Sequence, residues 1–275
     1  MKRFLRNFAF TSGLLLTVAL ILVALAAPLL APFDPNIQET SRRLEAPSKE
    51  HPLGLDDLGR DVLSRILFGA RVSLRVGFSV VLIASTIGVA LGAIAGYFGG
   101  KADLIIMRLC DILLAFPGIL LAIALVAVLG PSLNNVVLAL SIIGWVGYAR
   151  LVRGQVLKVR ETEYVTAAKA LGARSSRVII LHVLPNVMNP VIVMATLGLA
   201  GAILAEASLS FLGLGVQPPT PSWGAMLTSG RRYLGLANHL AIFPGIAIML
   251  AVMGLNFLGD GLIDVLDPKY RKLIK

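Results

Sequence analysis

Charge is scarce in this 275-residue sequence: Asp, Glu, Lys and Arg make up 15% of it and hydrophobic residues 57%. A soluble domain carries about a quarter charged and under half apolar residues, so a water-soluble globule is excluded. Cysteine is reduced to Cys110, which rules out an intrachain disulfide. The three histidines, His51, His182 and His239, are too dispersed for a His-rich metal centre. No GxxxxGK[ST] loop is present, so the chain cannot itself cradle nucleotide phosphates. Neither Gly-x-Ser-x-Gly nor His-Glu-x-x-His occurs. What remains is oil, with a mean hydropathy of +0.84. At roughly 20 apolar residues per crossing it supplies five to seven membrane helices and leaves no room for a large soluble domain.

The uncharged runs predict six spans. Phe8 to Leu30 is the first; it is longer than the roughly 7 to 15 residues of a secretory signal core, which predicts an uncleaved anchor. Val76 to Gly100 is the second. Ile112 to Ala149 is too long for one crossing and is broken at Gly130-Pro131-Ser132 and Asn134-Asn135, which predicts a helical hairpin and spans three and four. Val187 to Ala205 and His239 to Leu258 complete the set. Ala207 to Gly230, with Pro218, Pro219 and Pro221, cannot form a regular helix facing lipid. The chain then divides into residues 1–31 (N-terminus and first helix), an extracytoplasmic loop 32–75 and a core 76–275. That core holds five spans, a cytoplasmic loop 150–186 and an extracytoplasmic loop 207–238.

Six crossings place both termini on one side. Of the 25 basic residues, 16 fall on that side, among them Lys2, Arg3, Arg6, Arg150, Arg153, Arg160 and Lys275, and 9 on the other. The bias predicts cytoplasmic termini and explains the net charge of +10 without nucleic acid. Tyr97, Tyr148, Trp223 and Tyr233 fall where interfacial aromatics are expected.

Gly88, Gly92 and Gly96 recur every four residues, a spacing that lets two helices approach closely in lipid, within the bundle or with a partner subunit. Arg108 and Asp111 are spaced for an ion pair on one helix face. No acid or histidine lies at mid-span, where a proton or ion carrier places them. Glu206 is expected at the outer end of span five and Asp260 at the inner end of span six. Pro117, Pro190 and Pro244 can each bend a span.

The loop 150–186 reads as helix, turn, helix: Glu163 to Leu171, then Gly172 as a stop, then Arg174 to Leu184, ended by Pro185. Its small-residue surface suits insertion into a groove on another protein. The pattern Ala167-Ala168, Gly172, Leu184-Pro185 resembles the signature loop of ABC importer permeases, with Thr166 where that motif has Glu and His182 where it has Ile. His51 to Arg65 and Gly69 to Leu74 resemble the segment after the first span of dipeptide/oligopeptide permease C-type subunits. Phe211 to Gly224 is similar to their outer loop, and Asn256 to Asp260 with Asp264 to Lys269 to their C-terminal end.

The resemblance implies an all-α, six-helix type I importer permease that is not an enzyme. Glu163, Tyr164, Thr166, Ala167, Ala168, Leu171, Gly172, Leu184 and Pro185 would form the loop that couples to the motor. The chain would bind no cofactor; ATP and Mg would sit on two partner ATPase subunits. Its other partners would be a B-type permease, an extracytoplasmic peptide-binding protein and membrane lipid. Short peptides are the substrate the resemblance favours, with nickel, glutathione or another small solute on the same scaffold as the alternative. Residues that touch substrate are not legible.

The Asp56 to Arg65 cluster is read as caps and ion pairs shaping the outer loop. Asp260, Asp264, Asp267, Lys269, Arg271 and Lys272 are read as a solvated charged face. Two other function classes compete. A passive channel would differ by needing no ATP. An intramembrane aspartyl protease would use Leu258-Gly259-Asp260 with Asp111 as second carboxylate, but Phe257 stands where its first motif glycine belongs.

Overall fold

The computed structural model describes residues 8–266. The expectations about Lys2, Arg3, Arg6, Asp267, Lys269, Arg271, Lys272 and Lys275 lie outside them. The described residues form helices α1 (Phe8–Leu30), α2 (Val62–Phe98), α3 (Gly100–Leu114), α4 (Gly118–Leu129) and α5 (Leu133–Val159). There follow α6 (Glu163–Ala170), α7 (Ser175–Val178), α8 (Leu184–Phe211), α9 (Trp223–Arg231) and α10 (His239–Leu266). Five helical stretches are long and apolar enough to cross a membrane, and six crossings result if α3 and α4 together form one bent span.

Helix α5 continues past Ala149 to Val159, α8 past Ala205 to Phe211, and α9 lies within the stretch 207–238 expected to be loop; two further elements depart from the hydropathy reading. Helix α2 begins at Val62, not Val76, so its first turns occupy a stretch expected to be loop. Asp61 caps it by accepting from the Ser64 amide at 2.7 Å. Arg65, buried in the helix, donates to the Pro35 carbonyl at 2.9 Å and lies 3.5 Å from Asp56. The charged turns are helical because the preceding segment satisfies them, which an average over hydropathy cannot see. The first arm of the expected hairpin is also not one straight span. Ala115-Phe116-Pro117 breaks it, and α3 and α4 meet at 85°. Pro117 has no amide hydrogen to continue the ladder. Helix α4 alone, 12 residues and roughly 18 Å long, is too short to cross about 30 Å of hydrocarbon. The turn at Gly130 to Ser132 is as expected, with Ser132 capping α5 through the Asn135 amide at 3.2 Å.

Helices α2 and α5 form the central pair, and glycine sets their separation. A Cβ on Gly88 would lie 2.6 Å from the Trp145 carbonyl oxygen, one on Gly92 2.5 Å from that of Ala149, and one on Gly96 2.8 Å from the Val156 Cβ. The glycine stripe therefore serves a contact inside the chain. A second stripe, unread in the sequence, joins α1 to α10: Gly13 abuts Leu258, Gly254 meets Leu16 and Gly261 abuts Phe10. Helix α8 packs against α2, α5 and α10.

One end of the bundle is closed by residues 31–61, α9 and the segment before α9. Asp56 accepts from the amides of Leu58 and Arg60 and from the Arg60 guanidinium, and His51 Nδ1 lies 2.9 Å from Asp61. These are the caps and ion pairs expected of that cluster. On its rim, hydrogen bonding from Arg42 holds Glu45 below the usual carboxylate range. Trp223 is no interfacial aromatic. It is 1% exposed, and its indole donates to the Ile66 carbonyl at 3.0 Å, with Gly69 leaving room for the ring. Tyr148 is likewise buried, against Gly88 and Gly198. Glu206 is wholly buried where α8 meets α2 and α9: it accepts from Ser210 at 2.6 Å and Ser73 at 3.4 Å, and Ser222 is 3.5 Å from Ser210.

Candidate functional site

At the opposite end of the bundle, the last turns of α5 lie beside the end of α2 and lead into the 160–186 loop. Three arginines fix them. Arg153 holds Asp103 of α3 through two hydrogen bonds, of 2.5 and 2.6 Å. Arg150 bonds Asp111, and Arg160 donates to the Gly96 carbonyl at the end of α2 at 2.9 Å. Asp111 therefore pairs across helices with Arg150 and not along its own helix with Arg108. Paired guanidinium–carboxylate hydrogen bonds have fixed geometry as well as strength, so α2, α3 and α5 form one rigid platform here.

Helix α6 lies on this platform by one face. Val165 is fully buried in a cluster with Val152, Val156, Val178 and Val183, and Ala168, three residues on, is half-buried beside it. Lys169 places its ammonium 4.9 Å from the centre of the Tyr97 ring. The other face is open. Glu163, Thr166 and Ala167 are exposed, Tyr164 is 45% exposed and Leu171 89% exposed. Leu171, the residue that follows the last turn of α6, and Tyr164 leave apolar surface bare at this end of the bundle.

Gly172 ends the helix for a conformational reason. Its φ is +82°, and nothing lies within 4 Å of where a Cβ would be. The Gly172 amide bonds the Lys169 carbonyl at 2.9 Å and the Ala173 amide the Ala168 carbonyl at 3.1 Å, the paired bonds of a left-handed helix stop.

Pro185 does not end the second helix. Helix α7 passes through a wide turn at Ile179–Val183, in which the Leu184 amide reaches back five residues to Ile179, and α8 follows without interruption. The wide turn accommodates a proline that lacks an amide hydrogen. The Asn186 side chain donates to the His182 carbonyl at 2.7 Å, supplying a hydrogen bond there. Leu184 is half-buried on the valine cluster and Pro185 is exposed.

The structure thus brings Glu163, Tyr164, Thr166, Ala167, Ala168, Leu171 and Gly172 into one element, and sets Leu184 and Pro185 at the root of α8. Gly88, Gly92 and Gly96 belong to the packing beneath. Sequence reading missed Val165, the buried anchor, whose only signal is its three-residue spacing to Ala168. It also missed the Arg153–Asp103 clamp, whose partners are far apart in the chain. No group of three or more metal-ligating side chains occurs among the described residues.

Comparison with known proteins accords with this geometry. Residues 88–272 match the family model described as binding-protein-dependent transport system inner membrane component. Residues 1–47 match the N-terminal TM domain of oligopeptide transport permease C. The dipeptide transport system permease protein DppC of Alkalihalophilus pseudofirmus is 49% identical over 98% of this chain and 89% of that one. The glutathione transport system permease protein GsiD of Pectobacterium atrosepticum is 47% identical over 98% and 90%. The di/tripeptide transport system permease protein DppC of Pseudomonas aeruginosa is 46% identical over 98% and 93%. Among solved structures, an inward-facing form of the MetNI methionine ABC transporter matches with a TM-score of 0.60 at 18% identity, over 74% of this chain and 96% of that one, which establishes a shared fold. The chain belongs to the binding-protein-dependent transport system inner membrane components: it is a multi-pass inner-membrane permease subunit of an ABC importer, not itself catalytic, with ATP hydrolysis on a separate subunit.

Proposed function

We propose that this chain forms half of a translocation pathway for short peptides, paired with a B-type permease and served by two ATPase subunits and an extracytoplasmic peptide-binding protein. The observation that carries the motor-facing part of this reading is α6: anchored by Val165 and presenting Tyr164, Ala167 and Leu171 outward. Such a helix fits a cleft on a partner, the helix-in-groove mode of recognition. The α6 end is then cytoplasmic, in accord with the basic residues gathered there, and both termini share that side. ATP and Mg reside on the ATPases and this chain binds no cofactor.

The mechanism follows from rigidity. Closure of the ATPases displaces α6; the Arg150, Arg153 and Arg160 contacts and the continuous path from α7 into α8 pass that displacement into the spans, which alternately open the pathway to either side. The dipeptide and di/tripeptide permeases among the relatives favour peptides. The glutathione permease, nearly as similar, keeps glutathione as the second reading.

Replacing Ala167 by Trp enlarges the outward face of α6 without touching the Val165 anchor. In proteoliposomes containing the whole transporter, the expected result is loss of peptide-stimulated ATPase activity and of uptake, with the complex's permease pair intact. Normal activity in this variant overturns the docking role. Uptake of labelled dialanine against labelled glutathione, each with its binding protein, decides the substrate.

A further inference from the structure

Among the arginines at the end of the bundle remote from α6, Arg42, Arg60, Arg65 and Arg232 each lie within 4 Å of a carboxylate. Arg43, Arg231, Arg71 and Arg75 do not, and of these Arg231 lies over the Phe211 ring while Arg71 and Arg75 share one face of α2. Both are exposed, one helical turn apart on α2, and among the described residues no acid pairs with either; Arg71 has only the face of Phe68, 5.9 Å away. The two project into a groove of about 620 Å³ bounded by Ile21 and Leu25 of α1, Phe78 of α2 and Leu133 at the start of α5.

Position gives the pair its meaning. Arg75 is the last charge before the uncharged run that opens at Val76, so the guanidiniums stand where polar surroundings meet hydrocarbon. Deeper along the same face of α2 lie Phe78 and Leu82, 49% and 68% exposed, and beside them on α1 Leu25 and Leu22, 71% and 59% exposed. A doubly basic head site thus continues into a bare apolar strip. Its complement is a molecule with an anionic head and long alkyl chains. A short peptide would find almost no polar partners for its backbone on these walls.

We infer that the Arg71–Arg75 groove is a binding site for an anionic phospholipid, the phosphate held by the two guanidiniums and an acyl chain laid on Phe78 and Leu82. Arginine is suited to this, being permanently charged and able to donate two parallel hydrogen bonds to phosphate. The site goes beyond the transport reading and does not depend on which solute is carried.

The test uses the assembled transporter in detergent, stripped of lipid and exposed to equal amounts of dioleoyl phosphatidylglycerol and dioleoyl phosphatidylcholine, with retained lipid read by native mass spectrometry. Wild type is expected to retain phosphatidylglycerol in preference by roughly 25-fold, since each of the two basic side chains near a membrane surface contributes roughly fivefold. R71Q/R75Q abolishes the preference, R75Q alone reduces it, and R75K and R43Q keep it. Absence of a preference in wild type, or an undiminished one in R75Q, overturns the proposal. So does displacement of the lipid by millimolar inorganic phosphate or dialanine, which would mark a site for soluble oxyanions.

Discussion

Val165 and Leu171 stand six residues apart and have opposite tasks. Val165 holds α6 on the platform from within the valine cluster, and Leu171 is the barest apolar side chain of the loop. Val165→Ala removes two buried carbons and should cost about 2 kcal/mol, seen as a lower thermal midpoint, together with weakened coupling of ATPase activity to uptake. Leu171→Ala should leave stability within about 0.5 kcal/mol, as exposed substitutions do, and yet weaken co-purification of the ATPase. A Leu171→Ala variant that co-purifies normally would show that the bare leucine is not part of the docking face. Gly172 belongs to the same scale. Any side chain there meets the left-handed penalty of roughly 1–2 kcal/mol with no steric clash added, so Gly172→Asn should be milder than Gly172→Val in a coupling assay.

Between elements, contacts are made by close backbone approach and by buried polar staples. At Gly92 any Cβ would collide with the Ala149 carbonyl and Val152, so Gly92→Leu forces α2 and α5 apart. Overpacking costs typically about 1–3 kcal/mol, and more where the neighbour is backbone, so a sharp fall in folded yield is expected on size-exclusion chromatography. Glu206 ties α8 to α2 and to the cap of α9 through serines. Glu206→Ala leaves buried hydroxyls without that partner and should lower stability by about 1–3 kcal/mol, whereas Glu206→Gln keeps an acceptor and should cost less. Equal losses in the two variants would mean that the carboxylate's charge, and not its hydrogen bonding, matters at that junction.

Over the whole molecule, hydropathy located the crossings well and their ends poorly. The runs at Phe8, Val76, Val187 and His239 are cores of real helices, because apolar length is a one-dimensional property. The start of α2 at Val62, the α3–α4 bend and the passage of α7 into α8 through Pro185 depend on partners distant in sequence or on one backbone amide. The glycine spacing of α2 was legible and the α1–α10 contact was not, since Gly13, Gly254 and Gly261 lie on different helices or two turns apart. Of the candidate site, the motif residues were legible through family pattern; the residue that seats them, Val165, was not part of the pattern. Topology has its own test at this scale. Cysteine placed at position 163 should react with a membrane-impermeant maleimide only from the cytoplasmic side and cysteine at position 39 only from outside. Native Cys110, wholly buried, should stay silent in both experiments. Reaction of both from one side would contradict the proposed orientation.

The helical path from Ser175 to Phe211 runs for 37 residues with no intervening loop, roughly 55 Å at 1.5 Å per residue. A tilt of about 5° imposed at its α6 end would carry the far end, beside Glu206 and the cap of α9, through about 5 Å by the same rise per residue. That distance is comparable to the width of a peptide backbone. In the proposed coupling the chain is therefore geared: a small closing stroke at the α6 end becomes a displacement of substrate size at the other.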